Sequence, residues 1–182
     1  MRHAADGDLV LGRESPMGGD LDLLFDRHRR DMQADTPPDS IHMLPRAALA
    51  AAGIDFFVLR DAGRPCAMGA IRRIGPGHGE LKSMHVLDED RGRGLSVLLL
   101  EALIAHARAA GLTRLSLETG VQPTFAAARG LYARAGFREC PPFGDYGPDP
   151  NSVFMTLELG PAGSDADVAT DGARGYSGPT AP

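Results

Sequence analysis

The stretch from Glu80 to Gly111, ELKSMHVLDEDRGRGLSVLLLEALIAHARAAG, constrains the chain more than any other. It predicts a strand from about Glu80 to Leu87, then a polar turn, Asp88-Glu89-Asp90. Next come Arg91-Gly92-Arg93-Gly94-Leu95-Ser96 and an apolar helix from about Gly94 to Ala110, stopped by Gly111. Glycines just ahead of a helix let the backbone fold tightly around a ligand. They also leave free N–H groups at the positive end of the helix dipole, which suits a pyrophosphate. Arg91 and Arg93 add charge-assisted donors for phosphate oxygens. A dinucleotide-binding fingerprint would need a third glycine where Val97 stands, in a parallel βαβ unit. A Walker A loop would need Gly-Lys-Ser/Thr, a tripeptide the chain lacks. The bland alternative is a turn that only caps the helix.

The elements around this segment point to an α/β layer around one mixed sheet. Residues 8–13 read as a first strand. A helix opens at Gly19-Asp20, with Leu21, Leu24, Phe25, His28 and Met32 at helical spacing. The proline-rich segment 36–45 is a loop, and 46–52 a short helix closed by Gly53. Strands at 55–61 and 64–74 join at Ala62-Gly63 as a hairpin. After the central segment come a buried-type strand at 112–119 and a helix at 125–135 stopped by Gly136. Short strands follow around 137–140 and 152–159. Residues 1–159 therefore form one domain. Residues 160–182, rich in Gly, Pro and Ala, read as a disordered tail.

Composition narrows the function. The net charge of -5 disfavours general nucleic-acid binding. No apolar run approaches the ~20 residues of a membrane helix, and no signal peptide is evident, so the default expectation is a cytoplasmic protein. Cys66 and Cys140 have no metal-ligand spacing and read as packing residues, so no metal is expected. Lys82 is the only lysine, so any Schiff-base chemistry would have to use it.

With the glycine-rich loop in place, the sequence resembles the GCN5-related N-acetyltransferase (GNAT) superfamily. Its cofactor loop follows Gln/Arg-x-x-Gly-x-Gly/Ala, and Arg91, Gly94 and Ser96 fill those positions, with serine as the last small residue. Downstream, Leu131-Tyr132-Ala133-Arg134-Ala135-Gly136-Phe137 matches the superfamily's Leu-Tyr-x-x-x-Gly-Phe. The order and separation of the two motifs also agree. Within the superfamily the chain looks like a YsnE-like bacterial group of small stand-alone acetyltransferases. The resemblance implies the GNAT fold, a mixed central sheet with helices on both faces. It also implies acetyl-CoA as co-substrate.

The resemblance further implies residue roles. Met84, His85 and Val86 lie on a strand that splays from its neighbour and binds the pantetheine arm, one N–H polarising the thioester carbonyl. Arg91, Gly92, Arg93, Gly94, Leu95 and Ser96 hold the pyrophosphate. Tyr132 is the candidate acid that protonates the departing thiolate. Glu80 and Glu118 are the candidate bases, Glu80 first, with His85 as a rival. A β-bulge would decide whether His85 shares a face with Glu80. Phe125 stands where many relatives carry an asparagine that bonds the cofactor arm, and Gln122 and Thr124 are the candidate replacements. His28, Arg29, Ser40 and His42 lie where the superfamily builds one acceptor wall. The segment 143–152, with Asp145 and Tyr146, is a second wall. Of these, His42, Asp145 and Tyr146 are the candidate acceptor-binding residues.

These features point to acetyl transfer onto the amine of a small molecule, by direct attack in a ternary complex. The rivals are a protein N-acetyltransferase and a non-catalytic acyl-CoA-binding sensor domain. A homodimer is a superfamily habit that no residue here demands.

Overall fold

A computed structural model describes residues 8–160. The tail, 161–182, lies outside the described residues, as do residues 1–7. The strands are β1 (Leu9–Arg13), β2 (Ile54–Asp61), β3 (Arg64–Gly75), β4 (His78–Val86), β5 (Arg114–Gly120), β6 (Arg138–Glu139) and β7 (Ser152–Glu158). The helices are α1 (Asp22–Asp35), α2 (Leu95–Ala109) and α3 (Ala126–Arg134). One seven-stranded sheet runs β1-β2-β3-β4-β5-β7-β6. Every ladder is antiparallel except β4–β5, which is parallel, so the sheet is mixed as expected.

Helices cover both faces. On one face Leu21, just ahead of α1, and Leu24 within it pack against Phe56, Val58, Met68 and Ala70. On the other, α2 lays Leu95, Leu99, Leu100, Leu103 and Ile104 against Phe57, Leu59, Ala67 and Ile71. Each such leucine stabilises the fold by roughly 1.5–3 kcal/mol through burial. Close approach of α2 requires Gly69, since a Cβ there would lie 2.9 Å from Leu103 Cδ1. Gly111 and Gly136 follow α2 and α3 with φ of 76° and 94°, the left-handed geometry that ends a helix. The hairpin at Ala62-Gly63 has φ of 48° and 84°, the two positive values of a type I′ turn.

The sequence expectations shift at three places. Residues 46–52 give a 3-10 turn, Arg46–Ala50, rather than an α-helix. The strand expected at 112–119 begins at Arg114, because Leu112 packs into the core and Thr113 bonds Gly77. The strand at 137–140 shrinks to Arg138–Glu139.

Two irregularities in β4 prepare the site. The parallel ladder to β5 runs from His78↔Arg114 to Leu81↔Leu117 and stops there, so the strands splay beyond Leu81. A β-bulge also interrupts the pairing with β3: Met68 faces His85 and Ala70 faces Lys82, leaving Ser83 and Met84 opposite Gly69. Ser83 takes φ of 54°, which a non-glycine residue rarely adopts. The extra residue shifts the alternation, so His85 shares its face with Lys82 and Glu80, as Met68 does with Ala70 and Arg72. Among the described residues no helix is long and apolar enough to cross a membrane.

Candidate active site

The splay opens into a cleft of about 660 Å³ between α1, β4, the start of α2 and α3. Met84, His85, Val86, Arg91, Gly92, Gly94, Leu95 and Ser96 all line it. Gly92 and Gly94 both have φ of 79°. Among the described residues no side chain caps α2, and no acid stands in its first turn. A Cβ at either glycine would meet nothing within 4 Å, so their open faces give a ligand direct access to the backbone. Donor-rich backbone at an uncapped helix start fits the pyrophosphate of acetyl-CoA.

The two arginines differ from the expectation. Arg93 does not line the cleft. Its guanidinium pairs with Asp61 and Asp90, each at 2.8 Å. Asp90 is also gripped by Arg64 at 2.8 and 2.9 Å, and these two arginines hold its carboxyl below the usual range. Arg93 therefore braces the loop rather than aiming its side chain at a phosphate. Arg91 does line the cleft, but pairs with Asp31 and Asp88 at 2.8 Å each, linking α1 to the loop.

Deeper in the splay is a second space of about 100 Å³. Tyr132, Glu118, His42, Lys82, Phe125 and Met43 are among its walls. Tyr132 comes from α3 and is 8% exposed. Burial, with the nearby Glu118 charge, pushes its phenol up to about 12, so it holds its proton at neutral pH. Burial also raises Glu118, whose Oε1 accepts a 2.7 Å bond from the Ser152 hydroxyl. A carboxylate raised in this way is a better proton acceptor than a solvated one.

Glu80, first choice for base in the sequence reading, lies elsewhere. It is 0% exposed and lines neither space. Arg72 Nε donates to its Oε2 at 2.9 Å, and the Tyr146 hydroxyl donates to its Oε1 at 2.5 Å. With both oxygens engaged, Glu80 is a structural anchor and not a free base. His85 lines the cleft, but burial lowers it to about 4, which leaves a weakly basic neutral ring. Its ring centroid lies 5.4 Å from that of His28, which burial also lowers to about 4.

Of the three residues expected at the acceptor, one lines the small space. His42 lines the small space and packs edge-on to Tyr146 at 5.1 Å, with Asp149 at 3.6 Å from its Nε2. Tyr146 lies behind that surface, bonded to Glu80 and Lys82. Asp145 is exposed and lines neither space, because its turn points outward, so the structure gives it no acceptor contact. Thr124 and Phe125 line the cleft. Gln122 does not, and its Oε1 is buried without a partner among the described residues. Cys66 and Cys140 are free thiols, Cys66 buried in the core. Among the described residues no three His, Cys, Asp or Glu side chains are grouped to hold a metal.

Sequence reasoning passed over Lys82. The available signal was its position two residues after Glu80, which puts two charged side chains on one face of an otherwise buried strand.

Known proteins resemble this chain in sequence and in fold. The model of the acetyltransferase (GNAT) family matches residues 21–137. The chain is 40% identical over 136 residues to YsnE of Bacillus subtilis, an uncharacterized N-acetyltransferase, covering 75% of this chain and 90% of YsnE. It is also 40% identical over 153 residues to an IAA acetyltransferase of Azospirillum brasilense, covering 84% of this chain and 99% of that protein. Among solved structures, one from Klebsiella pneumoniae described as an acyl-CoA N-acyltransferase matches with a TM-score of 0.66 and 29% identity. That match covers 84% of this chain and 98% of the other. A splayed β4–β5 pair, an uncapped glycine-rich loop and a buried tyrosine thus occur in a chain that belongs to the GNAT family of acetyl-CoA-dependent N-acetyltransferases.

Proposed function

We propose that the chain acetylates the amine of a small molecule by direct attack in a ternary complex, with Glu118 as base and Tyr132 as acid. The observation that carries this reading is that Glu118 and Tyr132 line one space of about 100 Å³. Acetyl-CoA supplies the acetyl group as a thioester. The backbone of Gly92 to Ser96 grips its phosphates, and the edge of β4 at Met84 to Val86 runs along its arm. Glu118 takes the proton the amine loses, and Tyr132 gives its proton to the departing sulfur, so the two transfers balance. No acyl-enzyme is needed, since neither free cysteine lines either space. The narrow space favours a small molecule over a folded protein segment.

An amine panel monitored by CoA release tests the reading. Sequential initial-rate kinetics are expected, with no acetylated protein by mass spectrometry when the acceptor is omitted. Ping-pong kinetics would reject direct attack. Acetylation of peptides with no small amine accepted would reject the small-molecule assignment.

A further inference from the structure

Lys82 lines the acceptor space, and its side chain is 8% exposed. Its Nζ donates to the His42 carbonyl at 2.9 Å and to the Tyr146 hydroxyl at 2.7 Å. Glu80 Oε1 lies 3.3 Å away as an ion-pair contact. Two of the three ammonium hydrogens are therefore spent on hydrogen bonds, and the third is not. Arg72 pairs with the same Glu80 at 2.8 Å. Two cations thus share one carboxylate, which leaves an excess positive charge behind the wall of the space.

Among the described residues, Glu118 is the only acidic side chain lining that space, and Lys82 is its only lysine or arginine. The parallel ladder ends at Leu81↔Leu117, so Lys82 and Glu118 are the next residues on either side of the gap. A molecule entering there meets a cation on one strand and a carboxylate on the other. A lone amine would satisfy only Glu118. Both charges line the same space of about 100 Å³, so one compact molecule can meet the two together.

We propose that the acceptor is a small α-amino acid. Its amine lies at Glu118, its carboxylate takes the spare N–H of Lys82, and its side chain faces Met32, Met43 and Phe125. This assignment rests on the reading above and specifies its substrate class. The acceptor's ammonium gives one proton to solvent and becomes a free amine. The C–N bond then forms as the C–S bond breaks. The amine's second proton passes to Glu118, and the Tyr132 proton goes to sulfur.

The test compares matched acceptors, such as methionine, methioninamide and the decarboxylated amine, with wild type, Lys82→Met and Lys82→Arg. In wild type the amino acid should exceed its amide and its amine in kcat/KM by about tenfold or more, the scale of a buried charge-assisted hydrogen bond. Lys82→Met should bring that ratio near one with the acetyl-CoA KM within about twofold, and Lys82→Arg should keep most of the preference. Amides or amines used as well as the acid would overturn this inference and leave the small-amine reading standing. Turnover of no small amine would overturn both. The wild-type series decides the matter even if Lys82→Met fails to fold.

Discussion

The two ends of the cleft solve recognition in opposite ways. The cofactor end is built from contiguous backbone: one strand edge, two glycines in the left-handed region and an uncapped helix start. The acceptor end is built from buried and half-buried side chains supplied by β4, β5, α3 and the loop carrying His42, with Tyr146 behind them. Backbone donors serve any ligand with the right phosphate geometry, so that end fixes the cofactor class. On the proposed reading, side chains at the other end carry the choice of acceptor and can change without touching the loop. The same division explains why the arginines of the loop engage carboxylates: Arg93 braces Asp90 while the backbone is left to the ligand.

The comparison breaks most readily at the loop. Gly94→Val puts a branched side chain at φ of 79° and into the ligand's approach. Acetyl-CoA affinity should fall ~100-fold or more by calorimetry, a strain and clash of about 3 kcal/mol together. At the other end, Glu118→Gln should lower kcat by about 10²–10³ with acetyl-CoA binding unchanged, the usual weight of a general base. It should also remove the acidic limb of the pH–rate profile, which in wild type sits above the ordinary carboxylate range because burial raises Glu118. Retention of that limb would reject Glu118 as base. Tyr132→Phe should cost roughly 10–100-fold in kcat with acetyl-CoA binding intact, since water partly replaces the acid. An unchanged kcat would remove the phenol from the mechanism.

A smaller effect comes from the wall between the two ends. His28 and His85 are lowered to about 4, against 6.5 for free imidazole. Between these values the unfolded chain binds more protons than the folded one, so stability falls as pH drops from about 6.5 toward 4. The slope is at most about 1.4 kcal/mol per pH unit for each ring. Melting temperatures across that window should fall with pH, and a His28→Leu variant should fall less steeply. The smallest effect separates the arginines: Arg93→Ala should lower the melting temperature but change acetyl-CoA affinity less than Arg91→Ala does. The reverse order would put the Arg93 side chain back in the site.

The cofactor end was legible because its chemistry depends on residues that are neighbours in sequence. Gly94, the α2 boundary and the Tyr132 motif could be read directly. The acceptor end was not, because its members are brought together only by the register of the sheet. Glu80 and Glu118 looked equivalent as carboxylates on adjacent strands. Only the parallel ladder and the packing of Tyr146 show that one is sealed behind the wall and the other faces the gap. The bulge was equally hidden, since Ser83 carries no glycine to announce a positive φ. Asp145 looked like an acceptor contact by composition, and the outward turn of its loop removed it.

The bulge at Ser83 acts on β4 much as a frameshift acts on a message. Before it, alternate residues supply Glu80 and Lys82 to the polar wall behind the acceptor. After it, the reading is reset, and His85 reaches the same side as part of the cofactor wall. One strand thus carries two separately editable texts. Changes on either side of Ser83 can alter one specificity and leave the other intact, whereas deleting Ser83 itself would pair Met84 with Gly69, remove the bulge and keep His85 on the side it already occupies.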